Sequence, residues 1–219
     1  MGVIIINFKA YAEGFGKRGY EIAKAAEEVA SKVDDYIAIA PTLLDLPEFA
    51  KLNIDVYAQH VDAVEFGSHT GRITAEMIKE KGAKGSLINH SERRLKLADI
   101  DFLVNKLRRL GLVSVVCTNN VSTTAAAAAL NPDYVAVEPP ELIGTGIPVS
   151  KAEPEVVEKS VRAAKDVNPK VKVLCGAGIT TYEDYAAALD LGADGVLLAS
   201  GIVKAKDPKK ALEELVGLR

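Results

Sequence analysis

The chain has no tryptophan, two cysteines, two methionines, three histidines and a single glutamine among its 219 residues, and aromatic residues make up only 5%. Cys117 and Cys175 lie far apart, outside any CxxC pair and without a histidine at metal-ligand spacing. Neither a disulfide framework nor a zinc site is therefore expected, and both read as buried thiols. No apolar run approaches the roughly 18 residues that a membrane span needs. Met1 to Ile6 carries no basic leader ahead of Asn7, so the chain is expected in the cytoplasm with no membrane partner. A net charge of -3 without any Lys/Arg tract leaves no electrostatic footprint for a nucleic-acid backbone. An anionic small molecule would need a local site instead. The scarcity of Gln, Met and Cys points weakly to a thermophilic source.

What the sequence does have is a repeat of short apolar runs: Val3 to Ile6, Tyr36 to Ala40, Val56 to Ala58, Ser86 to Ile88, Val113 to Cys117, Tyr134 to Val137, Val171 to Cys175 and Gly195 to Leu198. They are continuous rather than alternating, as in parallel strands covered on both faces. Amphipathic segments lie between them, with Ile22, Ala26, Val29 and Val33 on one helical face and Val157, Val161 and Ala164 on another. The alanine run Ala125 to Ala129 reads as a short, tightly packed helix. Eight strand-helix units in 219 residues leave about 27 residues each, within the range of an eightfold (β/α)8 barrel, and a single α/β domain over residues 1–219 is expected. The competing architecture is a doubly wound open sheet. A dinucleotide-binding sheet would carry G-x-G-x-x-G after its first strand, whereas here Asn7-Phe8-Lys9-Ala10-Tyr11 follows.

In such a barrel the reacting groups sit at the C-terminal ends of the strands, where the βα loops converge. Strand 1 ends in Asn7 and Lys9, strand 4 in Asn89 and His90 to Arg94, and strand 6 in Glu138. Singly, each reads as a solvated or structural side chain; three ionisable groups directly after apolar strands at one mouth form a candidate site. Pro139 to Val149 follows Glu138, with Gly144 and Gly146 inside it, a pattern that suits a lid closing over an anion. Cys175-Gly176-Ala177-Gly178 ends strand 7 and precedes a helix with Thr180 near its start, and Ala199-Ser200-Gly201 ends strand 8. Small residues leading into helix N-termini at those two places suit a phosphate site, although close packing would also use them.

At these residues the chain resembles the triosephosphate isomerase family from end to end. The family's Asn-aromatic-Lys is Asn7-Phe8-Lys9, its His-Ser-Glu-Arg-Arg is His90 to Arg94, and its Glu-Pro with Ile-Gly-Thr-Gly is Glu138-Pro139 with Ile143 to Gly146. The short length and Cys175 to Gly178 are similar to the compact archaeal-type branch. The chain differs from the commoner pattern at Pro140-Glu141-Leu142 in the lid, at Ala177 and Gly178, at Ala199-Ser200, at His60 beside Gln59, and at Arg72, where the family has an intersubunit Glu.

The resemblance implies interconversion of dihydroxyacetone phosphate and glyceraldehyde 3-phosphate without metal or organic cofactor. Glu138 would be the base, His90 a neutral imidazole polarising the carbonyl, and Lys9 the fixed cation, with Asn7 orienting it and Glu92 completing the polar network. Phosphate would meet backbone N-H groups at Ile143, Gly144, Gly178, Ala199 and Ser200. His60 and His69 are read as structural or interface residues. Thr70, in the third-loop tip Gly67 to Gly71, would reach a neighbouring subunit, and a homotetramer built as a dimer of dimers is expected. Two other readings stay open at this point: another phosphate-binding barrel, such as an indole-glycerol-phosphate or phosphoribosyl-anthranilate enzyme, and a non-catalytic sugar-phosphate sensor.

Overall fold

The computed structural model describes residues 2–139, 148 and 152–218. Eight strands, β1 (Val3–Asn7), β2 (Tyr36–Ala40), β3 (Asp55–Ala58), β4 (Gly85–Ile88), β5 (Val113–Thr118), β6 (Tyr134–Val137), β7 (Lys172–Gly176) and β8 (Gly195–Leu198), pair in parallel in chain order. β8 pairs with β1, so the sheet is a closed barrel and the open doubly wound alternative is ruled out. The expected runs agree with these strands to within a residue at each end. β7 runs from Lys172 to Gly176 instead of Val171 to Cys175, and β1 and β5 each continue into a polar residue, Asn7 and Thr118.

The apolar runs are continuous because both strand faces are buried. Val3, Ile5, Ala38, Ala40, Tyr57, Leu87, Val115, Ala136, Leu174 and Leu197 pack inside the barrel, where Tyr57 fills space left by the alanines. Their sequence neighbours Ile4, Ile6, Ile37, Ile39, Val56, Ile88, Val116, Val135, Val173 and Val196 pack outward against helices. That alternation follows from the two-residue period of a strand. It leaves nearly every strand position without water, the burial that supplies most of the folding free energy.

The covering helices are α1 (Gly16–Ala30), α2 (Leu46–Phe49), α3 (Ala75–Glu80), α4 (Leu97–Arg109), α5 (Val121–Ala129), α6 (Pro154–Val167), α7 (Tyr182–Asp190), α8 (Ser200–Val203) and α9 (Pro208–Leu215). α1 buries Ile22, Ala26 and Val29 as their spacing predicts. Val33 does not share that face: the helix ends at Ala30, and Val33 packs on the core from the following turn. α6 buries Val157 and Ala164, with Val161 packed at their edge. The alanine run forms the C-terminal part of α5, where Ala127 and Ala128 are buried and the small side chains let α6 approach closely. Among the described residues no helix is long and apolar enough to cross a membrane.

Candidate active site

Strand parity places two of the candidate groups. Asn7 and Lys9 continue the inward series Val3, Ile5, and Glu138 continues Tyr134, Ala136. Both strands keep their ladders to the edge of the mouth: the Phe8 N-H donates to the Ala40 carbonyl at 2.9 Å and the Glu138 N-H to the Thr118 carbonyl at 2.8 Å. At Lys9 the chain turns into the left-handed region, with φ of 52°. A side chain there costs on the order of 1–2 kcal/mol, so the surroundings must hold it. The Asn7 Oδ1 accepts the Lys9 N-H at 3.0 Å, and the Gln59 Nε2 donates to the Lys9 carbonyl and to the Ala40 carbonyl, each at 2.9 Å. Gln59, the chain's only glutamine, has inward parity two residues after Tyr57 and ties the ends of three strands together.

Parity would not aim His90 inward, because Leu87 and Asn89 share the inward series. Asn89 solves this with φ of 61°, a conformation that Asn tolerates better than most residues. Its Nδ2 donates to the Cys117 carbonyl at 2.9 Å and its Oδ1 accepts the Leu95 N-H at 2.8 Å, while the Arg94 Nη1 donates to its carbonyl at 3.0 Å. His90 then turns into the mouth and is buried. The Glu92 N-H donates to His90 Nδ1 at 3.2 Å. The Glu92 carboxylate also passes 3.4 Å from Nδ1, but it is 57% exposed and its other oxygen is held by the Lys9 Nζ at 2.9 Å. A backbone N-H can donate only to a lone pair, so Nδ1 is the unprotonated nitrogen and the neutral ring carries its proton on Nε2.

That Nε2 lies 3.5 Å from Glu138 Oε1. Among the described residues His90 Nε2 and Glu138 Oε2 are both buried without a hydrogen-bond partner. Buried polar atoms are ordinarily satisfied, so two such atoms on side chains that approach to 3.5 Å leave bonds that another molecule could make. Gly176, inward on β7, makes room: a Cβ there would stand 2.3 Å from Glu138 Cγ. Burial, with the Glu138 charge nearby, pushes the Cys175 thiol up to about 12 and the Cys117 thiol well above the ordinary thiol range. Both thiols are buried and free, as their spacing suggests, and neither adds charge beside Glu138.

The turn after β7 and the start of α8 meet. Ala177 and Gly178 both have positive φ, 78° and 74°, and a Cβ at Gly201 would come within 3.0 Å of the Ile179 carbonyl oxygen. Ala199 and Ser200, the last residue before α8 and its first, are half-buried on the same side, as is Gly178. The helix N-terminus after β7 holds part of its amide set itself. Asp184 Oδ2 accepts the Thr180 and Thr181 N-H groups at 3.1 and 3.0 Å, and Thr181 Oγ1 accepts the Asp184 N-H. The Asp184 carboxylate thus caps the two amides that lead into α7. The 177–179 turn and the start of α8 lie next to each other on this side.

Lys9, Glu92, His90 and Glu138 thus form a continuous chain of contacts, with Asn7 beneath Lys9. Thr70 and His69 lie exposed at the third-loop tip, whereas His60 is buried against Asp62. Ile143 and Gly144, and nearly all of the proposed lid, lie outside the described residues. Gln59 received no role from sequence reasoning, and Gly176 was read only as one of the small residues before a helix. Their signals were inward parity and, for Gly176, a missing side chain directly beside the strand that ends in Glu138.

The family described as triosephosphate isomerase matches residues 2–216. The chain is 77% identical to a triosephosphate isomerase of Archaeoglobus fulgidus over 219 residues, covering 100% of this chain and 98% of that protein. It is 60% identical to that of Methanocaldococcus jannaschii over 98% of both chains. It is 57% identical to that of Methanothermus fervidus over 98% of this chain and 97% of the relative.

Proposed function

The chain belongs to the triosephosphate isomerase family, and on that premise we propose that Glu138, His90 and Lys9 carry its reaction. That reaction is the interconversion of dihydroxyacetone phosphate and D-glyceraldehyde 3-phosphate through an enediol or enediolate, an aldose-ketose isomerisation of glycolysis and gluconeogenesis. Glu138 takes the proton from the carbon beside the carbonyl and returns it to the adjacent carbon. His90 donates from Nε2 to the carbonyl oxygen, and Lys9 stabilises the charge that develops there. Asn7 and Glu92 hold Lys9.

The observation that carries this reading is the pair of buried, unsatisfied atoms, His90 Nε2 and Glu138 Oε2, on side chains that approach to 3.5 Å. Phosphate is assigned to N-H groups at Gly178, Ala199 and Ser200, supported by the positive-φ turn that packs on α8, and to Ile143 and Gly144 by resemblance. The chain acts as one catalytic domain, in the cytoplasm, as an oligomer in which Thr70 meets a neighbour. Support for the oligomer comes from exposed Phe15, Leu44 and Phe66, on the first three βα connections, and Leu97, which opens α4.

A coupled assay with glyceraldehyde 3-phosphate tests the assignment. Glu138→Gln removes the proton acceptor at nearly unchanged shape, and turnover should fall on the order of 10²- to 10⁴-fold. Retention of more than half the activity in the purified variant would remove Glu138 from the role.

A further inference from the structure

A buried carboxylate outside the reacting group is tied to the turn that carries His90. Asp62 is 3% exposed and follows β3, at the neck of the loop leading to Arg72. Its N-H donates to the Ile73 carbonyl and its Oδ2 accepts the Ile73 N-H, each at 2.8 Å, which closes that neck. Its Oδ1 collects the Arg72 Nη1 at 2.7 Å, the Arg93 Nη2 at 3.2 Å and the His60 Nε2 at 3.2 Å. Burial alone would raise the Asp62 carboxyl, but the Ile73 N-H, the Arg72 guanidinium and His60 outweigh it and hold it at about 2. Burial keeps His60 low against the pull of Asp62, so His60 enters the cluster as a neutral donor.

Arg93 is braced at both ends. Its N-H donates to the His90 carbonyl at 2.8 Å while its guanidinium rests on Asp62. The turn between them starts from the left-handed Asn89, and strained backbone of that kind persists only where its surroundings over-determine it. The other ties of this turn run to β5, to Lys9 beyond β1 and within the loop; among the described residues Arg93 is the one that reaches the loop after β3.

We propose that Asp62 is a positioning residue for the isomerisation, which acts through Arg93 to fix the 90–93 turn and hence the angle at which His90 presents Nε2. The proposal rests on the role assigned to His90 above. Charge-assisted bonds to a buried carboxylate are short-range and directional, and small displacements of a reacting group carry large penalties in rate.

The test compares Asp62→Asn, Arg93→Gln, their double variant and Arg72→Gln, using steady-state kinetics and ¹⁵N NMR of the His90 ring. In the unaltered protein the ring should show one tautomer, protonated at Nε2. Asp62→Asn and Arg93→Gln should each lower kcat roughly tenfold with KM within about threefold, since a misplacement of 1 Å can cost on the order of 10²-fold. Both should blur the single tautomer. The double variant should be no slower than the worse single variant, because both cut one link. Arg72→Gln shares the carboxylate but not the turn, and its kcat should stay within about twofold. A carboxylate that serves only the fold would lower the melting temperature while kcat per folded molecule and the tautomer stay unchanged, and that result overturns the proposal, as does additivity in the double variant. If Asp62→Asn does not fold, the half-exposed Arg93→Gln decides alone by the same two readouts. An active His90→Gln would overturn the role of His90 itself. An inactive His90→Gln beside a fully active Asp62→Asn would overturn only the inference about Asp62.

Discussion

Glu138 is confined by its neighbours more than by its own bonds. The closest neighbour is the missing side chain at Gly176, since a Cβ there would overlap Glu138 Cγ at 2.3 Å. Gly176→Ala should therefore swing the carboxylate away from His90 and lower kcat on the order of 10²-fold, with overpacking costing about 1–3 kcal/mol of stability. Steady-state kinetics and urea unfolding measure both, and kcat within twofold of the parent would contradict the geometry. Asp62 gives a pH signature. Its carboxyl is held at about 2 in the folded chain against an ordinary 3.8, so its stabilisation is present above the unfolded value and lost as pH falls through the folded one. About 2 kcal/mol should disappear between roughly pH 4 and pH 2. Urea titrations across that window should show a flatter pH dependence for Asp62→Asn, and parallel curves would refute the linkage.

At the level of elements, the capping of α7 ties the residues that lead into it to its own third residue. Thr181 and Asp184 form a reciprocal box, and Asp184 also accepts the Thr180 N-H and hydroxyl at 3.1 Å each. Thr181→Ala deletes one half of the box and should cost about 1 kcal/mol of stability, read as a lower urea midpoint at unchanged slope, with kcat within twofold because no reacting atom moves. A midpoint equal to the parent's would show that the box contributes nothing. Small residues before a helix suggest an approachable N-terminus, and only the fold shows the helix's own third residue turning back to the two amides that precede it.

At the scale of the whole molecule, four of the seven exposed large apolar side chains among the described residues follow the first four strands, the others being Met77, Val167 and Tyr182. Leu44 is 81% and Phe66 65% exposed, Phe15 precedes α1, and Leu97 opens α4. Single exposed apolar groups are ordinary, and these four at the starts of successive units support the proposed association surface. A closed two-fold assembly that covers it and then pairs again gives the proposed tetramer. Light scattering during size exclusion, across a dilution series, should give about 93 kDa, four times the 23.3 kDa chain. A fully active 23.3 kDa species would refute both the tetramer and the contact proposed for Thr70.

The sequence by itself determined the strands, because a parallel barrel buries both faces of each and so writes them as unbroken apolar runs such as Val113 to Cys117. It also determined the inward placement of Asn7 and Glu138, since strand parity is local and survives to the end of a ladder, whereas Lys9 sits in a left-handed turn held by Asn7 and Gln59. Only the tertiary structure decided how His90 enters the mouth, because that depends on the left-handed turn at Asn89 and on bonds to β5. Only the side-by-side pairing of neighbouring strands brings Gln59 beneath Lys9, Gly176 against Glu138, and Asp62 to Arg93. These partners are separated by 50, 38 and 31 positions in the chain. No local pattern encodes such a meeting; it exists once the parallel strands have found their neighbours and their loops stand side by side.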